Sequence, residues 1–492
     1  MKKKISLLLW AAILSLFNLL AFHSAFFTFV LEHTTLTGWG CGLWITGLAV
    51  VMLIANFLAA YLILYCFRIV GKILIALAHL ISTAAVYFVL FYHTYITSDM
   101  LNNLFNTRVS EASGFINWEI VLFFILVGVI PAVFILRQRI DYGSLKRFGI
   151  VVASSVGSVV VIILLALKQF LWIGEYDTEL GALLMPWSYT VNTGRLMAQR
   201  AHENKQEIAL PDAIVTNNDP QAIVLVIGES ARRANCSLYG YERETNPLLA
   251  QQEGLVALPA RSCATFTTAG VKAILEYKAT SSLYEILPNY LYRHGVDVVW
   301  RTTNWGEPPV HIAQYQEMSG LDSVLFAGLK QRIEQSASNK VLIILHTSTS
   351  HGPKYSTKHP AEFAIYTPEN DNVEETENLD ALINAYDNTI CYTDYLLSNL
   401  IDTLRTIDTR DCAMIYISDH GESLGEKNIF MHGLPMNMAP REQYEIPFFV
   451  WAPQRTVKTY ETEVDQHVIF HSVLDYLGIE SPIYDPQASV FE

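Results

Sequence analysis

The chain has 492 residues, 51% of them hydrophobic, and a formal net charge of −14. Its length allows more than one domain. Its acidity, with no basic stripe interleaved with aromatics, excludes the electrostatic footprint of a nucleic-acid binder. The averages hide a division: the first third is apolar and nearly free of acids, while the rest has the composition of an ordinary acidic soluble protein.

Five apolar stretches, at 5–22, 42–67, 69–92, 120–136 and 148–167, approach the roughly 20 residues that a helix needs to cross a bilayer. The first reads as a span rather than a cleaved signal peptide, because no small-x-small site follows it and further spans do. Lys2, Lys3 and Lys4 precede the first span, Arg68 and Lys72 lie around the turn from the second to the third, and Arg137, Arg139, Lys146 and Arg147 lie between the fourth and fifth. The alternate loops carry only Arg108. The positive-inside rule then puts the N-terminus in the cytoplasm, and five crossings put everything after residue 167 outside. Within the loop after the third span, Asn103, Thr107 and Glu111 are four apart and share one face of a helix. That face is either the solvated side of an interfacial helix or a polar surface that receives a lipid head group.

Residues 168–220 read as an interfacial connector and linker. The run Pro186-Trp187-Ser188-Tyr189 is amphipathic and is expected on the membrane surface, 195–207 is a charged helical stretch, and 211–220 is polar. From 221 onward, short apolar strands at 222–227, 296–300, 341–345, 413–417 and 446–451 alternate with helical segments, among them 283–294 and the long amphipathic 378–407. This alternation predicts an α/β domain with a largely parallel sheet and helices on both faces. Sites in such sheets lie beyond the carboxyl ends of the strands. Cys236, Cys263, Cys391 and Cys412 show no close spacing of the disulfide or zinc-knuckle kind, and Cys391 and Cys412 are expected as buried apolar residues on a helix and a strand.

The chemistry-bearing residues cluster at those strand ends. Glu229 follows the first strand, and Asp419 and His420 follow the fourth. Carboxylates and imidazole together suit a zinc ion that keeps a position open. Taken singly, Glu229 reads as a carboxylate at a helix N-terminus and Asp419-His420 as a surface turn. Their equivalent placement at two strand ends favours a site. His351-Gly-Pro and His432-Gly-Leu-Pro each follow an apolar strand, where imidazole can hold phosphate, protonate a leaving oxygen or bind a second metal. The hydroxyl-rich run Ser262-Cys-Ala-Thr265-Phe-Thr267-Thr268 precedes a helix through 271–277. One of its hydroxyls either caps that helix or, held at an anion-binding helix N-terminus on a metal, serves as a nucleophile.

These motifs, together with Glu229-Ser-Ala-Arg232, Tyr239-Gly-Tyr-Glu-Arg-Glu-Thr-Asn-Pro247, His346-Thr-Ser-Thr-Ser-His351-Gly-Pro, Asn384-Ala-Tyr-Asp-Asn-Thr-Ile, Ser418-Asp-His-Gly-Glu-Ser-Leu-Gly425 and Ala439-Pro-Arg-Glu-Gln443, resemble the bacterial phosphoethanolamine transferases of the alkaline-phosphatase/sulfatase superfamily. The resemblance runs through the soluble part in order and extends to the five spans and to Asn103, Thr107 and Glu111. It implies a five-helix transmembrane bundle over 1–167 whose periplasmic loop 93–119 faces the active site, the connector 168–220, and an alkaline-phosphatase-like α/β/α catalytic domain over 221–492 in the periplasm. The expected protein is a monomeric, multi-pass resident of the bacterial inner membrane. Glu229, Thr267, Asp419 and His420 would ligate Zn2+, with a second zinc an open matter. Thr267 would be the nucleophile, taking phosphoethanolamine from phosphatidylethanolamine, releasing diacylglycerol, and passing the group to lipopolysaccharide or a related glycan. His351 and His432 would hold the phosphate or a second zinc and help protonate the leaving group. Asn103, Thr107 and Glu111 would contact the ethanolamine head group.

Position 273 is Ala where better-known lipid A-modifying members carry a cysteine that closes a disulfide around the nucleophile helix, and 305–315 and 364–380 also lack their cysteines. A disulfide contributes typically about 2–4 kcal/mol, so packing must compensate. These departures, with the divergent 269–277 segment, bear on the acceptor and keep Thr265 and Thr268 as alternatives to Thr267. Two other readings use the same residues. One is a phosphoglycerol transferase or another phosphotransferase or hydrolase of this superfold. The other is an inactive membrane-anchored scaffold, which would be expected to have lost ligands that this chain keeps.

Overall fold

The computed structural model describes residues 4–34, 36–106, 117–165, 172–173, 176–203, 207–371 and 379–492. The chain divides into two compact units, Met1–Gln199 and Arg200–Glu492.

The first unit is helical. Helices α1 (Leu7–Phe22) and α2 (Ser24–His33) meet at a 60° bend. Helix α3 (Gly38–Phe91) runs for 54 residues but is broken at Arg68, whose φ is 47°. In a straight helix Ile63 and Gly71 would be about 12 Å apart along the axis. Here a Cβ on Gly71 would lie 2.5 Å from the Ile63 carbonyl oxygen, so only glycine fits. The stretches expected at 42–67 and 69–92 are therefore the two arms of one helical hairpin, and Ala60 and Leu64 share an apolar cluster with Ile75 across it. Helix α4 (Ser98–Asn106) carries Asn103, whereas Thr107 and Glu111 lie outside the described residues. Helix α5 (Trp118–Arg137) contains a π turn at Phe124–Val129, and α6 (Leu145–Leu165) follows.

Among the described residues, Gly38–Phe91, Trp118–Arg137 and Leu145–Ile162 are long and apolar enough to cross a membrane, and the bent α1–α2 pair makes a fourth candidate. Leu20, Leu43, Ile69, Phe134 and Leu145 point outward and exposed, an apolar surface that lipid tolerates and water does not. The protein is membrane-anchored. The 186–189 run is hydrogen-bonded to the hairpin. Trp187 Nε1 donates to Asn56 Oδ1 at 2.8 Å, Tyr189 donates its hydroxyl proton to the Ala78 carbonyl at 2.8 Å, and Ser188 is buried. Buried indole and phenol groups need acceptors, and the hairpin supplies them.

The second unit is built on an eight-stranded sheet. In chain order its strands are β1 (Gln221–Gly228), β2 (Leu255–Arg261), β3 (Asp297–Thr302), β4 (Gln314–Glu317), β5 (Lys340–His346), β6 (Asp411–Ser418), β7 (Glu445–Trp451) and β8 (Val464–Asp465). The spatial order is β8-β2-β7-β6-β1-β5-β3-β4. The centre is parallel, as the alternation of strands and helices predicts. Strand β7 runs antiparallel to both β6 and β2. Side chains alternate between the faces. Ile223, Leu225 and Ile227 pack in one core with Val271 and Ile274 of α7 (Thr267–Leu275) and with Phe470 and Val473 of α8 (Val468–Tyr476). Ala222, Val224 and Val226 pack in the other with Leu397, Leu400 and Ile401 of α9 (Leu379–Arg405). Cys391 and Cys412 are buried on α9 and β6, and all six cysteines are free thiols.

Register places the site. Ile227 of β1 pairs with Ile417 of β6 on one side and with His346 of β5 on the other. The carboxyl ends of three central strands are therefore level, and the residues that follow them leave the sheet side by side.

Candidate active site

Glu229 and Asp419 leave β1 and β6 as neighbours, and the Asp419 N–H donates to the Gly228 carbonyl at 2.9 Å. Ser230 takes a positive φ of 53°, which turns its N–H back onto Asp419 Oδ1 at 3.1 Å, while its hydroxyl donates to Glu229 Oε1 at 2.7 Å. Strain of this kind persists only where the surroundings fix it. Here Tyr386 does so, donating its hydroxyl proton to the Ser230 carbonyl at 2.7 Å and accepting from the Arg232 N–H at 2.9 Å.

Thr267 is the first residue of α7. A Cβ on Gly270, one turn further along, would collide with the Asp419 carbonyl, so glycine lets the helix lie directly on the loop that follows β6. Thr267 Oγ1 is buried 3.3 Å from Glu229 Oε2 and 3.3 Å from His420 Nε2. The hydroxyls of the preceding run do not cap the helix. The N-cap is Phe266 and makes no side-chain cap bond. Ser262 donates to the Ala264 carbonyl, and Thr265 donates to the Leu434 carbonyl.

His420 Nδ1 lies 2.8 Å from the Gly421 carbonyl, a contact that places a proton on Nδ1 and turns Nε2 toward Thr267, Glu229 and Asp419. The His432 ring is 4.3 Å from that of His420, and the His351 ring is 5.7 Å from that of His432. Six of the residues singled out from the sequence, Glu229, Thr267, Asp419, His420, His351 and His432, thus lie in one cluster. Asn103 lies in the other unit, and Thr107 and Glu111 lie outside the described residues.

The electrostatics of the cluster ask for a cation. Glu229 and Asp419 are both almost wholly buried, and Asp419 Oδ2 accepts no hydrogen bond among the described residues. Burial, then the charge of Glu229, pushes the Asp419 carboxyl well above the usual carboxylate range. Burial acts on Glu229 in the same direction, yet its hydrogen bond to His420 and the charges of His420, His351 and His432 hold it well below. Two buried carboxylates cannot both be charged without a positive partner. Candidate ligand atoms of Glu229, His346 and Asp419 lie within 4.8 Å of one another, and so do those of His420, Glu422 and His432. The donor set of carboxylate, imidazole and hydroxyl fits a divalent metal.

The profile of the family described as Sulfatase matches residues 221–479, and that described as Phosphoethanolamine transferase EptA/EptB matches 52–201. The phosphoethanolamine transferase EptA of Helicobacter pylori is 34% identical over 84% of each chain. The chain belongs to the phosphoethanolamine transferase family. The phosphatidylethanolamine transferase Mcr-1 of Escherichia coli is 28% identical over 82% of this chain and 83% of its own. The chain is similar in fold to the lipooligosaccharide phosphoethanolamine transferase A of Neisseria meningitidis, with a TM-score of 0.88 over 99% of both chains at 24% identity. The second unit accordingly has the sulfatase and alkaline-phosphatase fold, and the protein is a transferase.

In this phosphoethanolamine transferase several site residues escaped the sequence reading. Asn304, after β3, donates to Glu229 Oε2 at 2.6 Å and to the Thr347 carbonyl at 2.8 Å. His346 meets Glu307 Oε1 through Nδ1 at 2.8 Å. Against the cost of burial, Glu307 raises the proton affinity of His346, and His346 in turn holds the Glu307 carboxyl down at about 2. Glu422 Oε2 lies 2.7 Å from His432 Nδ1, and its Oε1 accepts from the Tyr355 hydroxyl at 2.8 Å. The available signal was His346 at the end of a buried strand. Nothing local marks Asn304 or Glu307.

Carboxylate–imidazole pairs fix the ring and its tautomer, and losing the carboxylate typically costs 10–100-fold. Glu422→Gln is expected to lower kcat by roughly 10–100-fold, by freeing the His432 ring and, if His432 holds a metal, by weakening that metal as well. Steady-state rates and metal analysis on the same preparation check this.

Proposed function

We propose that the chain transfers phosphoethanolamine from phosphatidylethanolamine to a lipopolysaccharide acceptor, in lipid A or the core, through a phosphothreonine on Thr267 and with release of diacylglycerol. The observation that carries the reading is the Thr267 hydroxyl. It sits buried at the N-terminus of α7, within 3.3 Å of both a carboxylate and an imidazole, where helix amides and dipole favour a phosphate. The Escherichia coli relative is a phosphatidylethanolamine transferase and the Neisseria meningitidis one a lipooligosaccharide phosphoethanolamine transferase, which supports the reading.

Glu229, Thr267, Asp419 and His420 would hold one zinc, and His351 and His432 are placed for phosphate or a second. When bound, zinc supplies a fixed positive charge that lowers the proton affinity of the Thr267 hydroxyl and draws in the phosphate oxygens. Thr267 Oγ1, its proton already released to solvent, attacks phosphorus as the oxyanion and leaves as the same oxyanion in the second step; the bond from phosphorus to the diacylglycerol oxygen breaks, and His432 or His351 supplies the proton that leaves with it. An acceptor oxygen then attacks the phosphothreonine, and the same imidazole recovers its proton. Ser230, Tyr386 and Asn304 hold the carboxylates still, so little reorganisation accompanies the charge shift.

The reading also assigns residues 1–167 to five crossings of the inner membrane, counting the two arms of α3 separately, with 168–220 as the connector and 221–492 as the catalytic domain in the periplasm. Asn103, Thr107 and Glu111 receive the ethanolamine head group. On that reading Glu111→Ala slows transfer from the lipid by roughly tenfold or more, the cost of one charge-assisted hydrogen bond, and leaves zinc content intact. A normal rate, or loss of zinc, removes Glu111 from this role.

The test of the whole is donor turnover. Purified full-length protein, zinc-loaded and mixed with phosphatidylethanolamine, should release diacylglycerol and gain the mass of one phosphoethanolamine. Activity with phosphatidylglycerol in its place would replace the ethanolamine assignment with that of a phosphoglycerol transferase.

A further inference from the structure

Cys263 is an exposed free thiol two residues beyond β2. Strand β8 pairs in parallel with β2, Asp465 opposite Arg261, and the chain turns immediately into α8 with His467 at its N-cap. Strand register thus gathers a thiol, a carboxylate and an imidazole about 200 residues apart in sequence, none of them a member of the cluster around Thr267. Cys263 Sγ is 3.6 Å from His467 Nδ1, Asp465 Oδ1 is 3.1 Å from the same nitrogen, and all three donor atoms lie within 4.8 Å of one another.

One ring nitrogen faces both the thiol and the carboxylate. A single hydrogen on Nδ1 can be directed at only one of them, whereas a cation between the three atoms satisfies all. The spacing matches such a cation. Around a tetrahedral zinc with sulfur at about 2.3 Å and nitrogen and oxygen at about 2.0 Å, the sulfur–nitrogen edge is about 3.5 Å and the nitrogen–oxygen edge about 3.3 Å.

We propose that Cys263, Asp465 and His467 form a second metal site, separate from the catalytic one, that takes a thiophilic divalent cation of the zinc class. Thiolate with imidazole selects such ions over magnesium or calcium. Three protein ligands leave the fourth position to solvent. The site is mechanically connected to the chemistry. The Cys263 N–H donates to Gln466 Oε1 at 2.9 Å, and the buried Gln466 amide donates to the carbonyls of Ser418 at 3.0 Å and Asp419 at 2.7 Å. A cation there rivets the segment leading to Thr267 onto the strut that already carries the Asp419 main chain.

Cobalt(II) tests this on the full-length protein after chelator stripping. The catalytic cluster offers only oxygen and nitrogen donors, so a thiolate-to-cobalt charge-transfer band in the near ultraviolet reports cysteine ligation alone. One equivalent of band is expected in the wild type, with complete loss in Cys263→Ser and at least a tenfold weaker titration in His467→Gln. No band, a band unchanged in Cys263→Ser, or a band unchanged in the Asp465→Asn/His467→Gln double variant overturns the proposal. A second measurement needs no variant. Alkylation of Cys263 by iodoacetamide, followed by peptide mass, should slow at least tenfold when Zn2+ is added to the wild type, and an unchanged rate overturns the site.

Discussion

Thr267→Ala is expected to lower transfer by at least about 10⁴-fold and to abolish the covalent intermediate, because the hydroxyl it deletes has no substitute in the site. The neighbouring hydroxyls are occupied. Thr265 donates to the Leu434 carbonyl at 2.5 Å, and its own carbonyl accepts from Gly433 N–H at 2.8 Å, so it fastens the segment leading to Thr267 to the loop that carries His432. Thr265→Ala should therefore cost about 1–3 kcal/mol of stability by leaving a buried carbonyl unpaired, and should still form the intermediate. Thr267→Ser keeps an oxygen at the same place and should retain the mass gain at a reduced rate. Intact-protein mass spectrometry of the three variants, each incubated with the donor lipid, separates these outcomes. A phosphoethanolamine adduct on Thr267→Ala would move the nucleophile elsewhere.

How much of this was legible beforehand depended on whether the signal was local. The central strands could be read because burial on both faces makes them unbroken apolar runs, as at Ile223–Ile227 and Val341–Leu345. Glu229, Asp419 and His420 could be read because each follows such a run directly. Strand β2 was missed, since Leu255-Val-Ala-Leu-Pro-Ala-Arg contains a proline and pairs on both sides with partners from the far end of the chain. Asn304 and Glu307 sit in an irregular loop, and their partners Glu229 and His346 are fixed by register between β1, β5 and β3, which no local pattern encodes. The hairpin turn at Arg68 was anticipated as a gap between apolar stretches, although the backbone stays helical up to the break. The hydrogen bonds of Trp187 and Tyr189 were not legible, because their acceptors, Asn56 and the Ala78 carbonyl, lie more than 100 residues away.

Removing the metal should inactivate the enzyme and also reverse the way its stability responds to pH. In the metal-free protein, burial and Glu229 raise the proton affinity of Asp419, and His346 and His420 are raised as well by the carboxylates beside them, against the opposing cost of burial. A group whose folded pKa is raised binds more protons folded than unfolded, so its contribution is present at low pH and is lost as pH rises. Asp419 begins to lose it above about pH 4, and the two histidines above about pH 6.5. Glu229 has the opposite shift, so its contribution is lost only as pH falls below about 4.5 and does not act between pH 5.5 and 8. Metal-free protein should therefore become less stable across that window. Metal binding requires those same protons to leave, so its affinity should increase there. At a free zinc concentration of about 1,000 times Kd the stabilisation is about 4 kcal/mol, roughly 6–7 °C in Tm for a unit of this size. Asp419→Asn should be inactive and gain little from zinc. Its metal-free form should be at least as stable at pH 8 as metal-free wild type, because one of two buried carboxylates has been made neutral. Thermal unfolding of both proteins at pH 5.5 and 8, with and without zinc, reads all four corners. A metal-free wild type that is more stable at pH 8 than at 5.5, or an Asp419→Asn variant stabilised by zinc as much as wild type, would remove Asp419 from the ligand set.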